Sequence, residues 1–381
     1  MAAVQSPIIP VIGSLIRENP GTISLGQGVV HYGPPDAALA AARNFGGNPE
    51  EHKYGPVQGS PALLERIGRK LAEENGIGSA GRRVVVTAGA NMGFLEVLFA
   101  ITDPGDEVIL LLPYYFNQEM AIRMLNCNPV LVQTDERFHL RPERLRAAIS
   151  ERTRAIVTIS PNNPSGSVYP EADLRAVNAL CREHGLYHIS DEAYEYFTHT
   201  ETPHFSPAAI EGSEGHTISL YSLSKAYGFA GWRVGYAVIP EPLYEAMRKV
   251  QDTNLICPPL ICQAAAAAAL DTGAAYCRNH LKTLRAVRGR VLDQLREVSD
   301  FCRTASAEGA FYILLKVETE LDAMTLAERL IREHRVAAIP GNAFGLEAGC
   351  YLRIAYGALE PATAEAGLRR LTAGLRAIAG V

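Results

Sequence analysis

The strongest constraint on the fold is a repeating pattern in which short runs of β-branched and other apolar residues alternate with helical stretches from residue 83 onward. Continuous apolar runs are typical of strands that are buried on both faces of a parallel sheet. Because strands and helices alternate along the chain, we predict an α/β architecture with a mostly parallel sheet and helices on both of its faces. The predicted strands are 83–87, 106–112, 154–160, 217–221 and 236–239, and the predicted helices include 62–74, 92–101, 171–184 and 263–270.

The pattern changes in the C-terminal part of the chain, where one long helix precedes two predicted strands that are separated by a shorter helix. With 381 residues and 48% hydrophobic content, the chain can bury a large core and favours two domains over one. We therefore expect a second unit after the main sheet. Its predicted helices are 274–298 and 325–334, and its predicted strands are 309–315 and 351–356.

The N-terminal segment is apolar and rich in proline. Residues 7–12 read Pro-Ile-Ile-Pro-Val-Ile, and the two prolines predict that no regular helix forms there. An exposed apolar arm usually packs on another surface. We expect it to contact a second subunit or the mouth of an active site, and simple packing in the core is an equal alternative.

Composition argues against several functional classes. The net charge of −5 and the pI near 6.1 give no support for a nucleic-acid surface. The ten histidines are scattered and no Cys-x-x-Cys occurs, so no metal site is predicted. Seven cysteines in a long chain indicate the reduced thiols of a cytoplasmic protein. No signal-peptide pattern is present, and the apolar run 264–270 is too short to span a bilayer, so no membrane partner is expected.

One glycine-rich stretch, residues 221–235, carries the strongest chemical signal. Lysine condenses with carbonyl groups when burial or a neighbouring cation lowers its pKa, and Arg233 follows Lys225 in this stretch. The planar guanidinium also suits a phosphate monoester, to which Ser222 and Ser224 can add hydrogen-bond donors. A reactive lysine beside a phosphate cup is what pyridoxal phosphate requires. The alternative is a surface lysine and a salt-bridged arginine in a glycine-rich loop.

The same stretch resembles the Ser-x-Ser-Lys … Gly-x-Arg-x-Gly signature of the class I/II aminotransferases, which are pyridoxal-phosphate enzymes of fold type I. The resemblance implies that Lys225 holds the cofactor as an aldimine, and that Ser222, Ser224 and Arg233 bind its phosphate. It also implies a large domain with a mostly parallel, seven-stranded type of sheet and a smaller α+β domain. The implied boundaries are 1–40 for the N-terminal arm and part of the small domain, 41–272 for the large cofactor domain and 273–381 for the C-terminal small domain.

Two motifs upstream of the lysine follow predicted strands. The first is a small-residue turn that enters a helix, whose N-terminal N–H groups and dipole would place a phosphate on Ala90 and Asn91. The second is Asn-Pro-Ser-Gly, which begins at Asn163. In the resembled family this asparagine donates a hydrogen bond to the phenolate oxygen of the cofactor, and such donation lowers the pKa of the lysine imine by stabilising the anion.

Asp191 ends a buried run, where an α/β sheet presents polar residues to a ligand. A carboxylate there would keep the pyridine nitrogen of the cofactor protonated, so that the ring accepts electrons. The resemblance assigns Tyr194 as a second donor to the phenolate oxygen and Tyr115 as the aromatic residue stacked on the ring. Some relatives have a histidine that supports the acidic residue, whereas this chain has Gln118, which cannot change its charge near neutral pH.

Three more residues match positions of the resembled family. Tyr54, in a Tyr-x-x-x-x-Gly motif, is implied to reach the cofactor phosphate of a neighbouring subunit, which implies a homodimer with active sites at the interface. Arg353 lies in an otherwise apolar strand and needs an anion, and the resemblance assigns it the substrate α-carboxylate. Gly28 and Asn163 are implied to contact the same substrate.

The resemblance as a whole implies an aminotransferase that moves an amino group between an L-amino acid and a 2-oxo acid. Lys225 would carry the proton, with Asp191 and Tyr194 as the other catalytic residues. No second arginine can be placed against a distal carboxylate, which favours neutral, aromatic or sulfur-containing substrates. Two alternatives stay open, namely a lyase or cyclase that uses the same cofactor, and a non-enzymatic domain of a transcription regulator. The regulator would need an additional basic N-terminal module.

Overall fold

The predicted alternation of strands and helices is present in a computed structural model, which describes residues 1, 3–305 and 307–379. In chain order, the strands are β1 (Ile23–Ser24), β2 (Arg82–Thr87), β3 (Glu107–Leu112), β4 (Asn128–Gln133), β5 (Thr153–Ile159), β6 (Tyr187–Asp191), β7 (Thr217–Ser222), β8 (Gly235–Pro240), β9 (Cys302–Thr304), β10 (Tyr312–Val317), β11 (Val336–Ala337), β12 (Ile339–Pro340) and β13 (Cys350–Ala355). The α-helices are α1 (Ile8–Glu18), α2 (Asp36–Asn44), α3 (Pro61–Glu74), α4 (Ala90–Ile101), α5 (Phe116–Met124), α6 (Pro142–Ala148), α7 (Glu171–His184), α8 (Leu223–Ala226), α9 (Tyr244–Asn254), α10 (Leu260–Asp271), α11 (Ala274–Leu295), α12 (Ala323–His334) and α13 (Pro361–Ala379).

The main sheet has seven strands in the order β2-β8-β7-β6-β5-β3-β4. Strand β8 is antiparallel to both of its neighbours, and the other neighbouring strands pair in parallel. Helices cover both faces, so β3 is buried along its whole length, as its continuous apolar sequence predicts. The predicted α/β class with a mostly parallel sheet is therefore confirmed. Its parallel strands β5, β6 and β7 end at one edge, where the site described below lies.

A second sheet, of order β12-β13-β10-β9, is antiparallel and packs with α11, α12 and α13 around its own apolar core. The short strand β1 pairs in parallel with β11 beside this unit. The N-terminal segment therefore contacts the C-terminal unit, in keeping with the predicted smaller α+β domain. The boundaries 1–40, 41–272 and 273–381 stay predictions.

The N-terminal arm differs from its prediction. Helix α1 begins directly after Pro7, and Pro10 is its third residue. The N–H groups of a first helical turn have no partner within the helix, so a proline there removes no hydrogen bond. The prediction that the two prolines prevent a regular helix is therefore wrong. Ile12 of this helix is buried in a cluster with Phe116 and Phe344.

Several other boundaries also differ. Strand β4 and helix α6 were not predicted. The predicted strand 309–315 begins only at Tyr312, because Ala310 has a positive φ of 53° that no strand accommodates. By contrast, α7 matches the predicted helix 171–184.

A search of the described residues for membrane spans finds no single helix with the length and apolar content that crossing requires. One sharply bent pair, Leu260–Asp271 with Ala274–Val298, passes by length and composition.

Candidate active site

A cavity of about 610 Å³ opens between the carboxyl ends of the main-sheet strands and the second sheet. It brings together the predicted site residues from segments that are far apart in the chain. The predicted residues that line it are Gly28, Ala90, Asn91, Tyr115, Asn163, Asp191, Tyr194, Ser222, Ser224, Lys225, Arg233 and Arg353. Tyr54 does not line it and is 83% exposed, so its predicted contact with another subunit stays a prediction.

Lys225 lies on the short helix α8, which begins where β7 ends. Its Nζ atom donates to the carbonyl oxygen of Gly28 at 2.7 Å. Burial and the positive charges of Arg233 and Arg353 lower the pKa of Lys225 from 10.5 to about 8, although Asp191 opposes this shift. At neutral pH, a much larger fraction of Lys225 than of a surface lysine is therefore in the neutral form that condenses with a carbonyl.

A cradle for an anion lies beside the lysine, at the N-terminus of α4. Gly89, which precedes the helix, has a φ of 85°, and a Cβ atom there would lie 2.4 Å from Nη2 of Arg233. Gly235 also lies close to this cradle, because a Cβ atom there would lie 2.9 Å from the backbone nitrogen of Ala90. These two glycines let the guanidinium and the helix N-terminus face the same space.

Arg233 donates only to backbone carbonyls, those of Ala230 at 2.9 Å and Ala88 at 3.2 Å. Among the described residues, no carboxylate lies within ion-pair distance of its guanidinium. The side chain of Ser222 caps α8 by accepting from the N–H of Ser224 at 3.2 Å. A cation without a carboxylate partner, two hydroxyl groups and a helix N-terminus form a donor set that suits a phosphate monoester.

Asp191 ends β6 and is buried. Burial raises its pKa from 3.8 to about 6, although its carboxylate accepts from the N–H of Ala193 at 3.2 Å and from Nε2 of Gln118 at 2.9 Å. Within the described part of the chain, the buried Oε1 atom of Gln118 has no hydrogen-bond partner. Gln118 thus holds the carboxylate through a neutral donor. The sequence analysis had assigned no role to Gln118.

Arg353 lies on β13 with only 2% of its surface exposed. It donates to Oδ1 of Asn163 at 2.9 Å and to the carbonyl oxygen of Gly26 at 2.7 Å. No carboxylate of a described residue lies within ion-pair distance of it, and its buried Nε atom has no hydrogen-bond partner there. A buried cation that has only neutral partners and faces a cavity is set up for an external anion.

Asn163 is oriented by this arginine. Because its Oδ1 atom accepts from Arg353, its Nδ2 atom faces Tyr194, whose hydroxyl oxygen lies 3.4 Å away. Asn163 and Tyr194 are both buried, and they present N–H and O–H groups to the same side of the cavity.

Several lining residues were missed by the sequence analysis. Tyr312, on β10, places its hydroxyl 2.7 Å from that of Tyr194 and its ring against the guanidinium of Arg353, 4.7 Å away. Ile9 of α1 lines the mouth, in agreement with the expectation that the N-terminal arm reaches the active site, although no single residue of the arm was named. Tyr32, which does not line the cavity, donates to the carbonyl oxygen of Lys225 at 3.0 Å. Tyr312 carries no local motif, since a tyrosine in an apolar strand is typical of a core residue.

These groups fit pyridoxal phosphate. The cradle suits its phosphate, Asp191 its ring nitrogen, Asn163 and Tyr194 its phenolate oxygen, and Lys225 its carbonyl carbon. Tyr115 lines the same cavity, and burial raises the pKa of its hydroxyl, so its ring presents a neutral face.

Comparison with known proteins assigns the family. A model of the class I and II aminotransferases matches residues 20–371. The chain is 33% identical over 378 residues to an aromatic aminotransferase of Arabidopsis thaliana, covering 97% of this chain and 93% of that protein. It is 34% identical over 362 residues to an aspartate/prephenate aminotransferase of Thermus thermophilus, covering 93% and 90%. The solved aromatic aminotransferase of Pyrococcus horikoshii superposes with a TM-score of 0.89 at 32% identity, covering 97% of this chain and 100% of that one. The chain therefore belongs to the class I and II aminotransferases and is a pyridoxal-phosphate-dependent enzyme of fold type I.

Proposed function

We propose that this aminotransferase takes amino groups from neutral L-amino acids with aromatic or other apolar side chains and returns them to 2-oxo acids. The observation that carries the proposal is the state of Arg353, which is buried, faces the cavity and has no carboxylate partner among the described residues. A guanidinium in this state binds a substrate carboxylate in two parallel hydrogen bonds.

The rest of the lining favours an apolar side chain. Lys225, Arg233 and Arg353 are the cations that line the cavity, and each has a role in binding the cofactor or the α-carboxylate. Among the residues that the structure describes, no lining cation is left for a second substrate carboxylate. Ile9 and Phe116 instead offer apolar surface. The names of the relatives include both aromatic and aspartate/prephenate aminotransferases, and the lining of this cavity supports the aromatic type.

Each predicted residue has a role in this proposal. When bound, pyridoxal phosphate supplies a sink for the electrons released at the substrate Cα atom. Lys225 accepts and returns the proton at Cα, because its lowered pKa suits transfer near neutral pH. Asp191 holds a proton at the ring nitrogen, and Tyr194 donates to the phenolate oxygen. Asn163 and Gly28 complete the contacts around substrate and cofactor.

The phosphate is bound by the backbone of Ala90 and Asn91 and by Ser222, Ser224 and Arg233. We also infer a homodimer in which Tyr54 reaches this phosphate from a second copy of the chain. Its 83% exposure leaves it free to do so. The seven cysteines are all free, which supports the predicted cytoplasmic location.

A panel of amino donors tests the proposal. The purified enzyme with pyridoxal phosphate is given phenylalanine, tyrosine, methionine or aspartate together with a 2-oxo acid, and the oxo-acid product of each donor is assayed. We expect a kcat/KM for aromatic donors at least about tenfold above that for aspartate. A preference for aspartate would overturn the substrate class. Release of ammonia with a 2-oxo acid, in place of amino transfer, would indicate a lyase.

A further inference from the structure

Tyr312 faces the cavity from the second sheet, and the proposed function assigns it no role. It is the first residue of β10, is 1% exposed, and lies where the cofactor side and the substrate side of the cavity meet. A Cβ atom at Gly28 would lie 2.6 Å from its hydroxyl oxygen, so a side chain at that position would clash with Tyr312. Glycine at this position therefore leaves the space that the hydroxyl occupies.

The only hydrogen bond of the Tyr312 hydroxyl within the described chain is to the hydroxyl of Tyr194, at 2.7 Å. Geometry alone allows either oxygen to be the donor. A tyrosine hydroxyl has one hydrogen to donate and two acceptor positions. Tyr194 already accepts from Nδ2 of Asn163 at 3.4 Å, so one of its acceptor positions is used.

If Tyr194 has its proposed role, the number of available hydrogens determines which of the two tyrosine hydroxyls donates in the bond between them. If Tyr194 donates its hydrogen to the phenolate oxygen of the cofactor, it has none left for Tyr312. The short bond between the two oxygens can then form only with Tyr312 as the donor. Tyr194 would accept from both Asn163 and Tyr312 and would donate its single hydrogen into the cavity.

We propose that Tyr312 is a positioning residue, which directs the hydroxyl hydrogen of Tyr194 toward the cofactor and strengthens its donation. The inference rests on the proposed function, because it assumes that Tyr194 donates to the phenolate oxygen. Consecutive hydrogen bonds polarise one another, so a hydroxyl that accepts a bond becomes a better donor. Burial raises the pKa of both tyrosines, to about 12 for Tyr312, so the chain of hydroxyls stays neutral.

The pH dependence of the visible absorbance of the resting enzyme is a readout that does not require turnover. Donation to the phenolate oxygen lowers the pKa of the lysine imine, so loss of this donation raises it. In Tyr312→Phe the ring stays against Arg353 and only the hydroxyl is lost. We expect the spectral pKa to rise by about 0.5 unit, and to rise further in Tyr194→Phe.

The double variant Tyr194→Phe/Tyr312→Phe shows whether Tyr312 acts through Tyr194. If it does, the double variant has the same spectral pKa as Tyr194→Phe alone. An additional shift of about 0.5 unit in the double variant would overturn the inference, as would an unchanged pKa in Tyr312→Phe. Thermal unfolding of each variant reports whether the fold is retained.

Tyr356→Phe is the matched control. Tyr356 is equally buried, directly follows β13, and bonds to Nε2 of His199 at 3.2 Å, outside the cavity lining. Its variant should leave the spectral pKa unchanged, and a shift like that of Tyr312→Phe would refute a specific role for Tyr312. If the wild-type enzyme gave no visible band with pyridoxal phosphate, the proposed function itself would fail, which is distinct from any of these outcomes.

Discussion

The two sides of the cavity are built in different ways. On the side of the main sheet, the residues lie at the ends of strands or in the short segments that follow them. Asp191 ends β6, and Lys225 lies in α8, directly after β7. On the opposite side, Arg353, Tyr312 and Ile9 come from two strands of the second sheet and from α1. The first side is made of local motifs, and the second exists only after distant segments pack together.

This difference leads us to expect that substitutions on the two sides affect the reaction in different ways. In the proposed function, the local motifs supply the residues that bind and activate the cofactor, which all substrates share, so changes there should abolish the reaction. In the proposed function, the packed side holds the substrate through Arg353 and Ile9, so changes at these two residues should act mainly on KM and on the choice of substrate. Tyr312 is the exception on this side, because it is proposed to act on the cofactor through Tyr194. The predictions below test this contrast, beginning with the largest expected effect.

Lys225→Ala should lower the rate of amino transfer by at least about 10⁴-fold, because no other lysine in the described part of the chain lines the cavity to replace its amine. Mass spectrometry after borohydride reduction should find no covalent cofactor adduct. The Nζ atom makes one hydrogen bond, to Gly28, so the unfolding temperature should change little. Lys225→Arg keeps a cation but not a condensing amine, and activity in that variant would contradict the assignment.

Arg353→Lys should lower kcat/KM by about 100-fold, with most of the loss in KM. Lysine keeps the charge but cannot bind a carboxylate in two parallel bonds, nor reproduce the contacts with Asn163 and Gly26. Steady-state kinetics with phenylalanine measures the split between kcat and KM.

Arg82→Lys is the control for that variant. Arg82 has a largely buried side chain and donates to the carbonyl oxygen of Ala208 and the hydroxyl of Ser213, away from the cavity. Its variant should keep a normal KM. An equal rise of KM in both variants would mean that Arg353 acts through stability rather than through the substrate carboxylate.

The two sides of the cavity also differ in how much of their structure could be predicted from the sequence. The main sheet and the positions of Asp191, Asn163 and Lys225 at its edge follow from apolar runs that end in polar motifs. Strand β4, with Pro129 as its second residue and an exposed edge, lacks that pattern and was missed.

On the packed side, the sequence indicated Arg353 because a charge in an apolar strand is unusual. It gave no such signal for Tyr312, whose role depends on which face of its strand is toward the cavity. For the arm that contains Ile9, it left open contact with the mouth of the cavity, with a second subunit or with the core. The wrong prediction for α1 has a similar origin. We interpreted the two prolines as helix breakers, but prolines are compatible with a helix when they lie at its first turn. The sequence did not reveal where that turn begins.

The third prediction concerns pH. The apoenzyme should capture pyridoxal phosphate at a rate that rises with pH and is half-maximal near the Lys225 pKa of about 8, because only the neutral amine reacts. Arg353→Met removes a positive charge that lowers this pKa, so the midpoint should move upward and the rate at neutral pH should fall a few-fold. Absorbance during mixing over a pH series measures both.

Arg285→Met is a matched loss of charge outside the cavity, at a residue whose bond is to the carbonyl oxygen of Thr198. It should leave the midpoint unchanged. A midpoint near 10.5 in the wild-type apoenzyme would show that Lys225 is not perturbed by burial and by its neighbouring arginines.

The smallest effect is expected at the mouth of the cavity. Ile9→Ala should raise KM for phenylalanine about two- to threefold, because the bound side chain would cover only part of the isoleucine surface. KM for aspartate should stay the same, since its side chain gains nothing from apolar contact.

Val11→Ala tests whether that effect belongs to the cavity or to α1 as a whole. Val11 lies two residues from Ile9 in the same helix and has nearly the same exposure, 39% against 40%, but does not line the cavity. Its variant should leave both KM values unchanged. If the two variants raised KM for phenylalanine equally, α1 would act through its packing on Phe344, and the packed side would select substrates without direct contact from Ile9.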